Sequence, residues 1–298
     1  MSKFTVVVHA SRPKFLLLSA LMVLLAAALA SYQGHQFSLE WMLVVVLSAV
    51  VAHTCVNLLN EYQDFQSGLD EMTKRTPFSG GSGALPNEPV AVDAVWFAFK
   101  LSMLVLVLLG LVFVYVQGWQ LLPIGIVGLL LIVFYTSKIT RLPWLCLISP
   151  GLAFGPLMIV GSYYVLTGEF SLLALAFSMT PFFLVNNLLL LNQMPDLDAD
   201  KQIGRFNLIM LLGVKSAMRV FVGFTLLAFI SLVLVVEYYA LPAINYLALS
   251  VILLAIPMIK MLVNQNEYSD KLMSALTMNV IINLLTPSLL ILSLWLSF

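Results

Sequence analysis

Two asparagine-led acidic motifs interrupt an otherwise apolar chain: Asn60-Glu-Tyr-Gln-Asp64-Phe-Gln-Ser-Gly-Leu-Asp70 and Asn192-Gln-Met-Pro-Asp196-Leu-Asp-Ala-Asp200. In the first, Asn60 and Asp64 stand one helical turn apart, and in the second Asn192, Asp196 and Asp200 repeat that step. On a helix this spacing stacks oxygen atoms on one face. Hard oxygens in such number suit Mg²⁺, which commonly joins a few carboxylates to a substrate phosphate. Without cations these groups would repel a diphosphate; divalent ions between them turn the repulsion into a binding site. In a membrane chain, the pattern points to a lipid diphosphate.

Local sequence refines the two motifs. Asp70 follows Gly68, so it is expected to fold back from a turn rather than extend the helix. Asp198 lies about 200° around a helix from Asp196 and is expected to face away. Pro195 breaks the hydrogen-bond ladder just before Asp196 and is expected to kink the helix end inward. Upstream of Asn60, His53 and Asn57 continue a polar stripe along the same helix. His53 reads as an interhelical hydrogen-bonding residue, a routine use of polar groups in membrane bundles. Asn57 fits that use and also substrate binding. Among the loop bases Lys74, Arg75, Lys138, Arg141, Lys201 and Arg205, the first choices for phosphate contact are Arg75 and Lys138. The run Ser79-Gly-Gly-Ser-Gly83 lacks the P-loop pattern and reads as a flexible lid.

The elements that must carry these groups follow from composition. The chain has 298 residues, 61% of them hydrophobic and 9% charged, with mean hydropathy +1.03. Such a chain is an integral membrane protein. Continuous apolar runs, rather than alternating strands, exclude an outer-membrane barrel. About nine transmembrane helices are expected, near 15–31, 40–62, 91–117, 120–136, 144–166, 171–194, 208–236, 241–263 and 273–297. With a cytoplasmic N-terminus, all 14 Lys and Arg fall on the cytoplasmic side, and Glu40, Glu169 and Glu237 on the other. That arrangement obeys the positive-inside rule and places both acidic motifs in the cytoplasm, with the C-terminus outside. The apolar segment near the N-terminus reads as a retained first helix rather than a cleaved signal, because it is long and eight spans follow. Cys55 and Cys146 read as inert packing. No long Pro-, Gly- or Ser-rich linker divides the chain, so residues 1–298 are expected to form a single domain. Charge is balanced, and no nucleic-acid partner is expected.

At these residues the chain resembles the UbiA superfamily of intramembrane prenyltransferases, and within it the menaquinone-type branch that includes 1,4-dihydroxy-2-naphthoate prenyltransferases. Asn60-x-x-x-Asp64-x-x-x-Gly68-x-Asp70 resembles that branch's first aspartate-rich motif. Asn192-x-x-x-Asp196-x-x-x-Asp200-Lys-x-x-Gly204-Arg resembles the second, with Lys201 where Arg is common, and the tract from Phe154 to Tyr164 with Thr167-Gly168 is also similar. The resemblance implies an all-α bundle with its active site at the cytoplasmic side. It implies Mg²⁺ held by Asn60, Asp64, Asp196 and Asp200, with Asp70 and Asn192 in support. Asp64, Asp196 and Asp200 would be catalytic. Asn57, Lys74, Arg75, Tyr135, Lys138, Lys201 and Arg205 would serve substrate binding. The implied substrates are a polyprenyl diphosphate and an aromatic acceptor, in a prokaryotic plasma membrane. The tracts Leu142-Pro-Trp144 and Thr76–Gly83 depart from the branch's pattern and leave the acceptor's identity open.

The implied reaction ionises an allylic diphosphate and needs a dry pocket whose walls cannot attack a carbocation. Aromatic faces suit it, and Phe65, Trp96, Phe134, Tyr135 and Tyr163 are candidates. A cation-coupled transporter is the rival from another class, but transporter sites favour the bilayer midplane and broken helices. A CDP-alcohol phosphotransferase would carry one continuous acidic signature with an internal Ala-Arg, which neither motif has.

Overall fold

The computed structural model describes residues 1–73, 75–77, 80–263 and 270–297, and these are helical throughout, with no strand among them. The N-terminus begins with a short helix, α1 (Lys3–Ala10), which the hydropathy pattern did not suggest. Arg12 then takes a left-handed conformation (φ 51°) and Pro13 opens α2 (Pro13–Tyr32). Pro suits that first position because its missing N–H would have no helical partner there. Next come α3 (Leu39–Gln66), a single turn α4 (Leu69–Met72) and another short turn, α5 (Ala84–Asn87). Long helix α6 (Val92–Gln117) and the shorter α7 (Leu122–Phe134) follow. The fifth expected span is one rod of three parts: α8 (Pro143–Leu152), a π-helical stretch over Ala153–Val160, and α9 (Gly161–Thr167). Beyond it are α10 (Leu172–Asn192), α11 (Leu197–Gln202), α12 (Leu208–Leu212), α13 (Val214–Tyr238), α14 (Ile252–Val263) and α15 (Asp270–Trp295).

Eight of these rods are long and apolar enough to cross a membrane, and Trp119–Phe134 is a shorter apolar helix in the place of the expected fourth span. Expectation and structure differ most at 208–236, where Gly213 (φ 76°) separates α12 from α13. The rod through α6 has only 11% of its most apolar window buried, so it lies at the rim of the bundle with most of its apolar surface uncovered by the rest of the chain.

Helix lengths explain where the acidic motifs sit. α3 has 28 residues, about 42 Å of helix at ~1.5 Å per residue, against a hydrocarbon core of ~30 Å. Its last two turns therefore project past the apolar slab, carrying Asn60 and Asp64 with them. α10 stops at Asn192 because Pro195 supplies no N–H and disfavours helical backbone at Met194.

Close packing fixes the second half of the bundle. Gly151 and Gly155 let the α8 rod meet α10 backbone to backbone; a Cβ at Gly151 would lie 2.2 Å from the Phe182 carbonyl oxygen. Inside the bundle, the Asn187 amide donates to the Phe221 carbonyl (2.8 Å) and to Thr225 Oγ1 (2.9 Å), and Asn279 donates to the Asn187 carbonyl (3.2 Å). Such bonds replace the hydrophobic drive that lipid cannot supply between helices.

Candidate active site

Both motifs open into one cavity of about 890 Å³, at the upper end of small-molecule sites. Its long wall is apolar, drawn from α2, α3, α6, α7, the α8–α9 rod, α10 and α15. Its end wall is polar and holds Arg12, Asn57, Asn60, Asp64, Asp70, Asn192, Asp196, Asp200 and Arg205, with Tyr135 beside them.

The first motif is realised as the spacing suggests. Asn60 and Asp64 share a face of α3, and the Asn60 amide donates to Asp64 Oδ2 (3.0 Å) and to Thr136 Oγ1 (3.2 Å). Gly68 turns the chain in the left-handed region (φ 75°) and buries Asp70 on α4. The second motif is not one helical face. After α10 ends, Asp196 occupies the position before α11, and Asp200 returns one turn later with its N–H on the Asp196 carbonyl (2.8 Å). Asp198 is exposed.

Arg205 ties the two motifs together. Gly204 (φ 76°) closes α11, and the Phe206 N–H on the Thr140 carbonyl (3.1 Å) anchors the next residue. The guanidinium then reaches both sides, donating to Asp200 Oδ1 (3.1 Å) and forming a short ion pair with Asp64 Oδ1. Burial and the neighbouring carboxylates push Asp70 and Asp196 up to about 7, and burial also raises Asp200. Three oxygens in this end wall are buried without a hydrogen-bond partner: Asp70 Oδ2, Asn192 Oδ1 and Asp196 Oδ1. Among the described residues no three His, Cys, Asp or Glu side chains gather closely enough to hold a metal by themselves.

Sequence reasoning missed an important buried acid. Glu61 is fully buried, one residue past Asn60 and so about 100° off the cavity face. It pairs with Arg12 (3.4 Å) and accepts from both Ser82 N–H (3.0 Å) and Ser82 Oγ (2.6 Å). Arg12 also donates to Asn60 Oδ1 (3.2 Å). From the same loop, the Gly80 N–H donates to Asp196 Oδ2 (3.2 Å). The Gly80–Gly83 segment is thus held down on the site rather than free, and it touches both motifs. Gly81 (φ 74°) cannot carry a side chain, because a Cβ would sit 2.5 Å from Asp70 Oδ1. An acid beside Asn60 at the end of an apolar run was the one signal the sequence offered for Glu61; nothing in local spacing joins it to Arg12 or Ser82.

Of the remaining expected residues, Asn57 and Tyr135 line the cavity. Lys138 and Lys201 are exposed and stand outside its lining. Exposed Arg75 reaches back to the Asp70 carbonyl (3.5 Å). Lys74 lies outside the described residues. Of the aromatic candidates only Tyr135 lines the cavity, where it is joined by Phe15, Phe113 and Phe154. Trp96 instead stacks on Tyr62 (4.6 Å) and Phe99 (5.1 Å), and Phe65 packs in the same cluster. Tyr163 is buried in the core, and Phe134 is exposed.

With the geometry in hand, likeness to known proteins becomes informative. The sequence matches the UbiA prenyltransferase family over residues 19–295. The chain belongs to that family. It is an integral membrane prenyltransferase. It is 29% identical over 245 residues to the 1,4-dihydroxy-2-naphthoate octaprenyltransferase of Bacillus subtilis (strain 168), covering 81% of this chain and 77% of that one. It is 26% identical over 286 residues to UbiA prenyltransferase domain-containing protein 1 of Dictyostelium discoideum, covering 93% and 82%. Its fold is that of the apo UbiA homologue from Aeropyrum pernix K1 (TM-score 0.72, 16% identity, 94% and 98% covered). The UbiA homologue from Archaeoglobus fulgidus bound to GPP and Mg²⁺ has the same fold (TM-score 0.64, 15% identity, 96% and 99% covered).

Proposed function

We propose that this prenyltransferase moves a prenyl group from a polyprenyl diphosphate to an aromatic acceptor, with 1,4-dihydroxy-2-naphthoate as the acceptor, in menaquinone biosynthesis. The observation that carries the reading is the single cavity with a carboxylate-and-amide end wall and a long apolar body. A diphosphate belongs at the first and a prenyl tail in the second. The acceptor assignment rests on the Bacillus subtilis relative's name and on the motif resemblance.

Mg²⁺ fits the donor set. The partnerless oxygens of Asp70, Asn192 and Asp196 come from both motifs. Burial first, then the charges of Glu61 and Asp64 on Asp70 and of Asp200 on Asp196, raise these two carboxyls, and a divalent cation would relieve both. Asp64, Asp196 and Asp200 would hold the ions, with Asn60, Asp70 and Asn192 completing the set. Bound there, Mg²⁺ supplies charge neutralisation for the leaving diphosphate. The chain's own residues do the rest. Arg205 balances Asp64 and Asp200 and offers its N–H groups to phosphate oxygens. Arg12, Lys74, Arg75, Lys138 and Lys201 add positive charge around the loops. Tyr135, Phe15, Phe113 and Phe154 line the cavity with aromatic rings, whose faces would stabilise an allylic cation without attacking it. The apolar walls exclude water, which would otherwise capture that cation. The allylic C–O bond breaks with its electron pair leaving on the diphosphate, the acceptor ring carbon then bonds to the prenyl carbon, and a proton or carbon dioxide leaves the ring. Residues 1–298 would act as one catalytic unit, with the site on the cytoplasmic face of a prokaryotic plasma membrane.

The test is prenyl transfer in detergent with geranylgeranyl diphosphate and a panel of aromatic acceptors, in Mg²⁺ or in EDTA. Metal-dependent product with dihydroxynaphthoate supports the whole reading. Product with another acceptor keeps the reaction class and renames the pathway. Absence of metal-dependent diphosphate binding removes the ligand assignment.

A further inference from the structure

Beyond the acidic end, α3 carries one more polar group into the cavity. His53 lies on the same face as Asn57 and Asn60, within the apolar part of the helix, and its ring lines the cavity. Two contacts fix that ring. Nδ1 is 2.8 Å from Ser19 Oγ on α2, and the Phe154 ring meets it edge-on with centroids 4.9 Å apart. Phe154 itself belongs to the π-helical stretch Ala153–Val160, a rare backbone form that recurs at functional sites. The interhelical role expected for His53 is therefore real, but it uses only one of the two ring nitrogens. Among the described residues Nε2 has no hydrogen-bond partner.

Its neighbours on the stripe are committed. The Asn57 amide donates to the Ser11 carbonyl (2.9 Å), Asn60 is bonded to Asp64, Thr136 and Arg12, and both Asp64 oxygens are engaged. A neutral imidazole has one donor and one acceptor nitrogen, and the bond at Nδ1 sets which of them Nε2 is. Polar groups at such depth in a membrane protein usually mark a site. From Asn60 to His53 is seven residues, about 10 Å along the helix axis. An aromatic ring set against the allylic carbon, on the far side of the diphosphate from the carboxylates, would present its hydroxyl at that level.

We propose that His53 is an acceptor-binding residue: its Nε2 hydrogen-bonds a phenolic hydroxyl of the aromatic acceptor, with Ser19 as the positioning residue that holds the ring. This rests on the prenyl-transfer reading and assigns the acceptor's subsite to the wall between α2 and α3. Arg12 and Lys14, which line the cavity on the same side, supply positive charge for an acceptor carboxylate.

The experiment is steady-state kinetics of the full chain in detergent with Mg²⁺, geranylgeranyl diphosphate and dihydroxynaphthoate. His53→Phe keeps ring size and removes the hydrogen bond. It should raise the acceptor KM by roughly tenfold, the effect of losing one hydrogen bond, and leave the diphosphate KM within about twofold. Two inhibitors separate binding from packing. Hydroxynaphthoate should bind the variant about tenfold more weakly than the wild type, whereas naphthoate, which lacks the hydroxyl, should bind both equally. Ser19→Ala should raise the acceptor KM by about threefold, and His53→Gln should recover part of the loss. If His53→Phe fails to accumulate folded, His53→Gln and Ser19→Ala carry the same comparison. An unchanged acceptor KM, or equal loss for both inhibitors, overturns the assignment of His53 and leaves prenyl transfer standing. Wild-type protein that transfers to no aromatic acceptor overturns both.

Discussion

The two acidic motifs share a spacing and differ in almost everything else. The Asn60–Asp64 pair of the first rides on one unbroken helix, and its oxygens are spoken for: Asp64 takes the Asn60 amide on one oxygen and Arg205 on the other, while Asp70, past the turn at Gly68, keeps a buried oxygen without a partner. The second straddles a break between α10 and α11, and Asn192 Oδ1 and Asp196 Oδ1 have no partner at all. The pair on α3 is a pre-bonded wall; Asp70 and the second motif hold buried acceptors that something else must satisfy, because an unpaired buried oxygen is costly. Periodicity in a sequence therefore identifies residues that belong together without saying which side of the pair is already complete.

The sharpest way to break that comparison is to neutralise each motif in turn. Asp64→Asn and Asp196→Asn should each reduce transfer by at least about 10²-fold, the scale of losing one electrostatic contact to developing charge. Their stabilities should part company. Asp196→Asn removes a charge that burial and Asp200 disfavour, so its metal-free thermal unfolding should match or exceed that of the wild type. Asp64→Asn strips Arg205 of one of two buried partners and should unfold earlier. Near-normal turnover in either variant removes its residue from the mechanism.

Next in size is the support behind the first motif. Glu61 joins Arg12 to the Gly80–Gly83 segment and touches no cavity wall itself. Glu61→Ala leaves Arg12 without its ion-pair partner and the Ser82 N–H and hydroxyl without their acceptor, and should destabilise the protein by about 3 kcal/mol, as breaking a buried pair does. Glu61→Gln keeps an acceptor for the loop and should lose less. Equal melting of Glu61→Ala and wild type would show that the loop is held by other means.

A smaller effect follows from the raised carboxylates of the second motif and α4. Asp70 and Asp196 are pushed up to about 7 in the folded state against an ordinary value near 3.8. Between those values the folded chain binds more protons than the unfolded one, so metal-free stability should fall as pH rises from about 4 to 7 and then level off. Mg²⁺ should reverse the trend above pH 7, and its half-saturating concentration should rise as pH drops through 7, because protons compete for the same oxygens. Thermal unfolding in EDTA and in Mg²⁺ across that range reads both. A metal-free protein that gains stability with rising pH would contradict the assignment.

Much of this was legible beforehand, for physical reasons. Membrane burial forces long apolar runs, so the spans could be read to within a few residues, and the Asn60–Asp64 face followed from helical period alone. The short helix α1, with Val6 and Ala10 packed against α3 and α6, left no hydropathy signal of span length. The break at Asn192–Asp196 was half visible: Pro195 announced a disruption, but whether the chain kinks or stops depends on what caps the next turn. Least legible were contacts between distant segments. Glu61 with Arg12 and Ser82, Arg205 with Asp64, and Ser19 with His53 each depend on how helices pack, which no spacing within one segment encodes.

The smallest expected effect is the most direct check on geometry. Asp198 lies between Asp196 and Asp200 in sequence, carries the same charge and is exposed. It makes no hydrogen bond or ion pair with the described residues and stands outside the cavity lining. If charge density alone made this tract functional, Asp198→Asn would cost activity much as Asp196→Asn does. Because α11 turns Asp198 about 200° away from Asp196, the variant should keep turnover within about twofold and stability within ~0.5 kcal/mol, as surface substitutions do. Its Mg²⁺ half-saturation should also be unchanged, apart from a slight weakening at low salt where exposed charges still act over ~10 Å or more. A loss approaching that of Asp196→Asn would mean that α11 rotates when substrate arrives. The second motif would then be a moving part and the first the fixed one.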